Sequence, residues 1–188
     1  NDVAVILVDP EKTTPYEFYQ FWINQDDRDV VKYLKYFTFL SKDEIDALAE
    51  KVKTEPWKRA AQKALAREVT KFVHGEKAVE EAERITAVLF SGDVAQLSAS
   101  EIEQGFKNMP SVEVANQKQN IILWLVDDTK IEPSRRQARE DVKNGAIRIN
   151  GEQITDENAE IDPSTHFDGK FVIVRKGKKR YWLARVKK

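Results

Sequence analysis

Between Ser134 and Gly151 the chain writes a short basic helix and a tight hairpin back to back, and no other stretch limits the fold as severely. Pro133 and Ser134 mark the helix start, because a serine side chain accepts hydrogen bonds from the open amides of a first turn. Gly145 marks its end, since glycine enters the left-handed region without steric cost. Between them Arg136, Arg139 and Lys143 recur at i, i+3 and i+7 and share one helical face. Ala138 and Val142 share another, which suits inward packing. Ile147 and Ile149 then alternate with Arg148 in the manner of a strand, and Asn150-Gly151 is a strong signal for a two-residue hairpin turn.

Charge is divided unevenly along the chain. Residues 129–188 carry 15 Lys and Arg against 9 Asp and Glu, whereas residues 1–128 carry 16 against 23, so a net charge of −1 hides two oppositely charged parts. A polyanion would be drawn to the second part and repelled by the first. The densest cluster, Arg175-Lys176-Gly177-Lys178-Lys179-Arg180, lies between the apolar runs Phe171–Val174 and Tyr181–Ala184, the pattern of two strands joined by a cationic turn. Taken alone, a basic helix face is more often solvated than bound, and a basic turn is more often a solubilising loop. Together they point to one RNA-binding surface. Its candidate contacts are Arg135, Arg136, Arg139, Lys143 and Arg148 from the helix and hairpin, with Arg175, Lys176, Lys178, Lys179 and Arg180 from the turn.

The residues before about 110 read as successive helices. Thr14-Pro15-Tyr16-Glu17 and Ser41-Lys42-Asp43-Glu44 both have capping-box spacing. Helices are predicted from Pro15, over 27–39, over 42–52, from Pro56 to His74 and from Glu76 to Phe90, with Gly75 and Gly92 as stops. Tyr16, Phe18, Tyr19, Phe21 and Trp22 make the first helix apolar around most of its circumference. Core packing explains this better than base stacking, because no cations accompany the rings between Thr13 and Gln25. On the fourth helix Leu65, Val69, Phe72 and Val73 keep inward spacing. Met109-Pro110-Ser111 and Asn116-Gln117-Lys118 break the periodicity, so 107–118 reads as a linker, followed by a helix from Gln119 to Val126. The expected architecture is α+β: an uncertain leader at 1–8, an all-helical bundle over 9–106, and a small α+β domain over 119–188.

Two resemblances sharpen this outline. Ser134, Arg135, Ala138, Arg139, Gly145, Ile147, Ile149, Asn150 and Gly151 fit the pattern of the S-four-like RNA-binding module, named after a ribosomal small-subunit protein. The segments Leu7–Asn24 and Ala66–Glu76 resemble the helical anticodon-binding domain of bacterial tyrosyl-tRNA synthetases, in which an S-four-like module follows. The resemblance covers about Asp9 to Lys188, and the opening residues Asn1 to Val8 depart from the family's usual approach, lacking its tryptophan before Asp-Pro. It implies a tRNA-binding region that positions tyrosine tRNA, through its anticodon stem and long variable arm, for an upstream catalytic domain. The parent would be an ATP-using cytoplasmic homodimer, with dimerisation in the catalytic domain, so the present chain could be monomeric.

Several chemistries are not expected of this chain. It lacks the family's His-Ile-Gly-His and Lys-Met-Ser-Lys-Ser types of signature and any glycine-rich phosphate loop, so neither catalysis nor a cofactor is expected, ATP belonging to the parent's catalytic domain. Zero cysteines exclude thiol chemistry, and the two imidazoles, His74 and His166, form no ligand cluster. His74, beside Gly75, suits capping or packing. Asp26-Asp27 and Asp127-Asp128 suit helix ends, although Asp26 and Asp27 could also face a guanine edge. No apolar run approaches membrane-spanning length, and neither a membrane nor DNA is an expected partner. The competing reading is a freestanding S-four-like RNA-binding or ribosome-associated protein, and a third, an RNA-modifying enzyme, needs a catalytic domain not visible in this sequence.

Overall fold

In the computed structural model, residues 8–188 are described, so the leader proposed for 1–8 lies outside them except for Val8. The chain divides into two compact units, the first running through Thr86 and the second spanning Ala87–Lys188.

The first unit is helical, and its punctuation follows the capping residues. Helix α1 (Pro15–Ile23) starts at Thr14, whose hydroxyl accepts from Glu17 N at 3.2 Å while Glu17 Oε1 accepts from Thr14 N at 3.3 Å. Helix α3 (Lys42–Thr54) repeats this with Ser41 and Glu44. Between them α2 (Val30–Phe37) is shorter than expected. Phe18, Tyr19 and Trp22 of α1 are buried with Val30 and Leu34 of α2 and Ile45 of α3, so the aromatic helix is a core element as its sequence indicates. Burying Phe18 or Leu34 contributes about 2 kcal/mol each.

Pro56 does not open the fourth helix. A 3-10 turn, Pro56–Lys58, is followed by Arg59 in the left-handed region at φ 52°, and only then by α4 (Ala60–His74). Arg59 is held there because its guanidinium donates to the carbonyls of Ile23 and Gln25 at 3.0 and 2.9 Å, closing the end of α1. Helical periodicity alone cannot register such a long-range contact. On α4, Leu65 and Val69 face inward, but Phe72 is 72% exposed and Val73 takes the packing position. Phe39 is 87% exposed and lies 5.6 Å from Phe72, ring to ring. Helix α5 (Glu76–Ser91) contains the division between the units.

The second unit is α+β, with a boundary earlier than the sequence indicates. Val94, Leu97, Ile102 and Phe106 are buried, and α6 (Ala99–Gly105), capped by Ser98 and Glu101, belongs here. Its capping box, Ser98-Ala99-Ser100-Glu101, has the same spacing as those of α1 and α3. The stretch 107–118 is not a plain linker: strand β1 (Ser111–Val114) pairs in parallel with β7 (Arg180–Val186). Polar composition conceals β1 because it lies at the edge of its sheet. Strand β2 (Gln119–Asn120) pairs with β5 (Glu160–Ile161), so the next helix begins at Ile121, capped by Asn120, and widens at Trp124–Asp128 into a π-helical turn. The main sheet has the order β1-β7-β6-β3-β4, with β3 (Ile147–Ile149), β4 (Glu152–Ile154) and β6 (Phe171–Lys176) antiparallel to their neighbours. Ile121, Trp124, Leu125, Ala138, Val142, Ile147, Val172 and Val174 form its core.

Candidate nucleic-acid interface

The expected basic helix is α8 (Arg135–Lys143; α7 being Ile121–Leu123). Ser134 Oγ accepts from Gln137 N at 3.1 Å. At the other end Gly145, at φ 70°, donates to Val142 O at 3.0 Å while Ala146 N donates to Asp141 O at 2.9 Å, the paired bonds of a Schellman stop. Ala138 and Val142 are fully buried, which fixes the rotation of the helix and turns Arg136, Arg139 and Lys143 outward around one shallow depression. Arg136 and Arg139 make no ion pair or side-chain hydrogen bond among the described residues. Lys143 pairs with Glu157 at 3.0 Å, and Arg135 with Asp127 at 3.0 Å.

The hairpin turn forms as the Asn-Gly pair indicates, with Asn150 at φ 51° and Gly151 at φ 86°. Asn150 is buried and works as a bracket: its N–H donates to Ile173 O and its Oδ1 accepts from Ile173 N, both at 2.8 Å. The turn is thereby sewn to β6. Arg148 is half-buried and donates to Gly151 O at 3.2 Å. It stands across the strands from Arg175, whose own guanidinium donates to Lys178 O at 2.7 Å.

The cationic turn closes at Gly177, whose N–H donates to Ala146 O at 2.9 Å. This bond sets the β6–β7 turn beside the exit from α8, so both expected basic clusters belong to one region of the second unit. Lys178 and Lys179 are exposed and make no ion pair among the described residues. Arg180 lies over the Trp182 ring at 4.9 Å, and Arg175 over Tyr181 at 5.6 Å. These stacks were missed in the sequence, although Arg180 and Trp182 have the i, i+2 spacing that puts two strand residues on one face.

Lys176 departs from the expectation of an RNA contact. Its Nζ lies 2.8 Å from Glu132 and 2.9 Å from Asp141, and the Glu132 side chain is fully buried. Burial pushes the Glu132 pKa up, with Asp141 adding to the effect. Burial also works against the charge on Lys176, but its bonds to the two carboxylates outweigh it and raise its pKa. For Asp141, the bonds from Lys176, Glu132 and Gln137 overcome burial and lower the pKa. Alternation along β6 explains the placement, since Val174 and Lys176 share the face turned toward α8 and its approach.

The carboxylates considered for base reading are engaged within the fold. Asp26 takes two bonds from the Arg28 guanidinium, which hold its pKa at about 2, and Asp27 accepts from Gln62 at 2.6 Å. His74 packs edge-on against Phe18 at 4.9 Å, in keeping with a packing role. Among the described residues no group of three or more His, Asp or Glu could hold a metal ion, and no helix is long and apolar enough to cross a membrane.

The chain thus has a helical unit followed by a basic helix and hairpin on a mixed sheet, and residues 1–91 match the family model described as tRNA synthetases class I (W and Y). Residues 101–184 match the tyrosine-tRNA ligase SYY-like C-terminal domain, and the chain belongs to the tyrosyl-tRNA synthetase family, corresponding to the C-terminal part of its members. Similar relatives include the tyrosine-tRNA ligases of Limosilactobacillus reuteri, 77% identical over 98% of this chain and 44% of that protein, and Pediococcus pentosaceus, 75% identical over 97% and 44%. A solution structure of a tyrosyl-tRNA synthetase C-terminal domain is 46% identical, covering 52% of this chain and 98% of that one, with a TM-score of 0.43. The chain therefore spans less than half the length of the curated relatives it matches.

Proposed function

We propose that this chain is the tRNA-binding part of a tyrosyl-tRNA synthetase, with the second unit gripping structured RNA and the helical unit serving the anticodon end. The observation that carries the reading is the pair of neighbouring cationic surfaces: Arg136 and Arg139 on α8, and Lys178 and Lys179 on the turn bonded to the exit of α8, are exposed without ion partners among the described residues. Flexible cations of this kind suit phosphate and shape recognition, because the deep, narrow major groove of paired RNA is closed to side chains. Arg135, Lys143, Arg148, Arg175 and Arg180 add positive potential but each already has a partner in the fold. Lys176 supports the surface from beneath.

Carried to the whole protein, the proposal is that tyrosine tRNA is presented to an upstream catalytic domain that uses ATP to attach tyrosine, in a cytoplasmic homodimer. The family match favours this over a freestanding ribosome-associated protein. The test is binding of the full chain to a tyrosine tRNA transcript, with and without its long variable arm, over a salt series. Tight, arm-dependent binding that weakens steeply with salt is expected. Replacing Arg136 and Arg139 by Gln together should weaken binding at least tenfold and flatten the salt slope by about 1 to 2. Binding unaffected by the arm, by salt and by these substitutions would overturn the reading.

A further inference from the structure

Strand β7 runs past the start of β1. The first rung between them joins Ser111 to Leu183, so Arg180, Tyr181 and Trp182 precede the ladder. Leu183 N donates to Pro110 O at 2.9 Å, which fixes the segment before β1 against β7. The result is a depression of about 320 Å³ whose lining includes Met109, Pro110, Lys179, Arg180, Tyr181 and Trp182. We propose that it is a subsite for one unpaired nucleotide of the bound RNA, with the base against the Trp182 ring and the phosphate on Lys179 and Arg180. The inference rests on the RNA-binding reading above and adds to it a contact with a base.

Trp182 and Arg180 share one face of β7, and the ring and the cation meet different parts of a nucleotide. Every base has a π-face, so stacking on the indole holds it whatever its sequence. Arg180 already lies over the Trp182 ring at 4.9 Å, which marks that ring as an accessible, cation-attracting face. When a base occupies the ring, the guanidinium moves to the phosphate, a short shift for a long side chain. Tyr181 turns to the other face of β7, where it meets Phe106 edge-on at 5.8 Å and Arg175 at 5.6 Å and anchors the strand beside the depression. The nucleotide must be unpaired, because a base inside a duplex has its faces covered by its neighbours. The other exposed aromatic depression, lined by Phe37, Phe39 and Phe72, offers less: Lys71 is its cation and pairs with Glu76 at 3.2 Å.

The test uses the full chain with a tyrosine tRNA transcript. Ultraviolet crosslinking of the wild-type complex, read by mass spectrometry, should join a peptide containing Tyr181 and Trp182 to a nucleotide outside the tRNA stems. Trp182→Leu should weaken binding about tenfold with an unchanged salt slope, the signature of lost stacking, and Trp182→Phe should restore most of it. Arg180→Gln should weaken binding and also reduce the slope by about 1. The subsite is overturned if the wild-type chain binds tRNA but crosslinks at Trp182 are missing or fall only in paired stems. It is equally overturned if Trp182→Leu, melting as wild type, binds as tightly as wild type. Failure of the wild-type chain to bind at all would bring down the RNA reading itself, and the subsite with it. Should Trp182→Leu not fold, the wild-type crosslink decides.

Discussion

Glu132 has no exposed side-chain surface, and the counter-charge it meets, Lys176, is shared with Asp141. Two carboxylates around one ammonium are tolerable in a partly buried place only while the ammonium stays. Lys176→Met removes it and leaves both acids facing each other, so stability should fall by about 3 kcal/mol, measured by urea denaturation. An unchanged midpoint would mean that water already screens the cluster. His74 makes a second residue-level prediction. Desolvation lowers its pKa below the ordinary 6.5, and its Nε2 is buried without a hydrogen-bond partner among the described residues. The folded state therefore resists a proton that the unfolded state accepts. The resulting stability is present above pH 6.5 and is lost as the pH falls below it. Melting temperature should drop on acidification from neutral pH to about 5, and His74→Leu should remove part of that drop. A variant with the same pH dependence as wild type would assign the loss to other groups.

At the scale of elements, α8 and the hairpin after it are held by their ends as much as by their faces. Ser134 satisfies the Gln137 amide, and losing that cap in Ser134→Ala should cost about 1 kcal/mol, seen as a lowered thermal midpoint. Asn150 has two duties, a left-handed backbone and an acceptor for the buried Ile173 N–H. Asn150→Gly keeps the first and removes the second, so its cost of about 2 kcal/mol isolates the orphaned amide. If Asn150→Gly is as stable as wild type, the bracket to β6 is dispensable. These ends were legible because caps and tight turns are local chemistry. Strand β1 was not, since Ser111-Val112-Glu113-Val114 is short and polar at an edge, and only its pairing with β7 makes it a strand. The break at Arg59 escaped for the same reason, being fixed by carbonyls of Ile23 and Gln25 far away in sequence.

Across the whole molecule, the charge division and the contact division do not coincide. The acidic part extends to about residue 128, whereas the second compact unit already begins at Ala87. Residues 87–118 are thus acidic or neutral in composition yet packed into the unit that bears the basic surface. A chain ending at Lys118 would leave β1 without β7 and Phe106 without Tyr181. It should melt at lower temperature or aggregate, as checked by calorimetry and size-exclusion chromatography beside the full chain. Equal melting and solubility would show that residues 87–118 hold their structure without the sheet.

The sequence by itself determined the helical character of the first part, the aromatic core of α1, the helix-hairpin order of the second, and the sign of charge each part carries. All of these follow from neighbours within a few residues, where capping, glycine stops and apolar spacing act. Tertiary structure decided which cations remain outside. Arg136 and Lys176 look alike in a charge count, but one projects from a helix whose apolar face is buried, while the other alternates inward along β6 onto Glu132 and Asp141. The depression that sets Trp182 beside Pro110 also depended on the fold, because it joins segments separated by some seventy residues of chain. Such juxtapositions are set by sheet register and packing, which distant residues fix together.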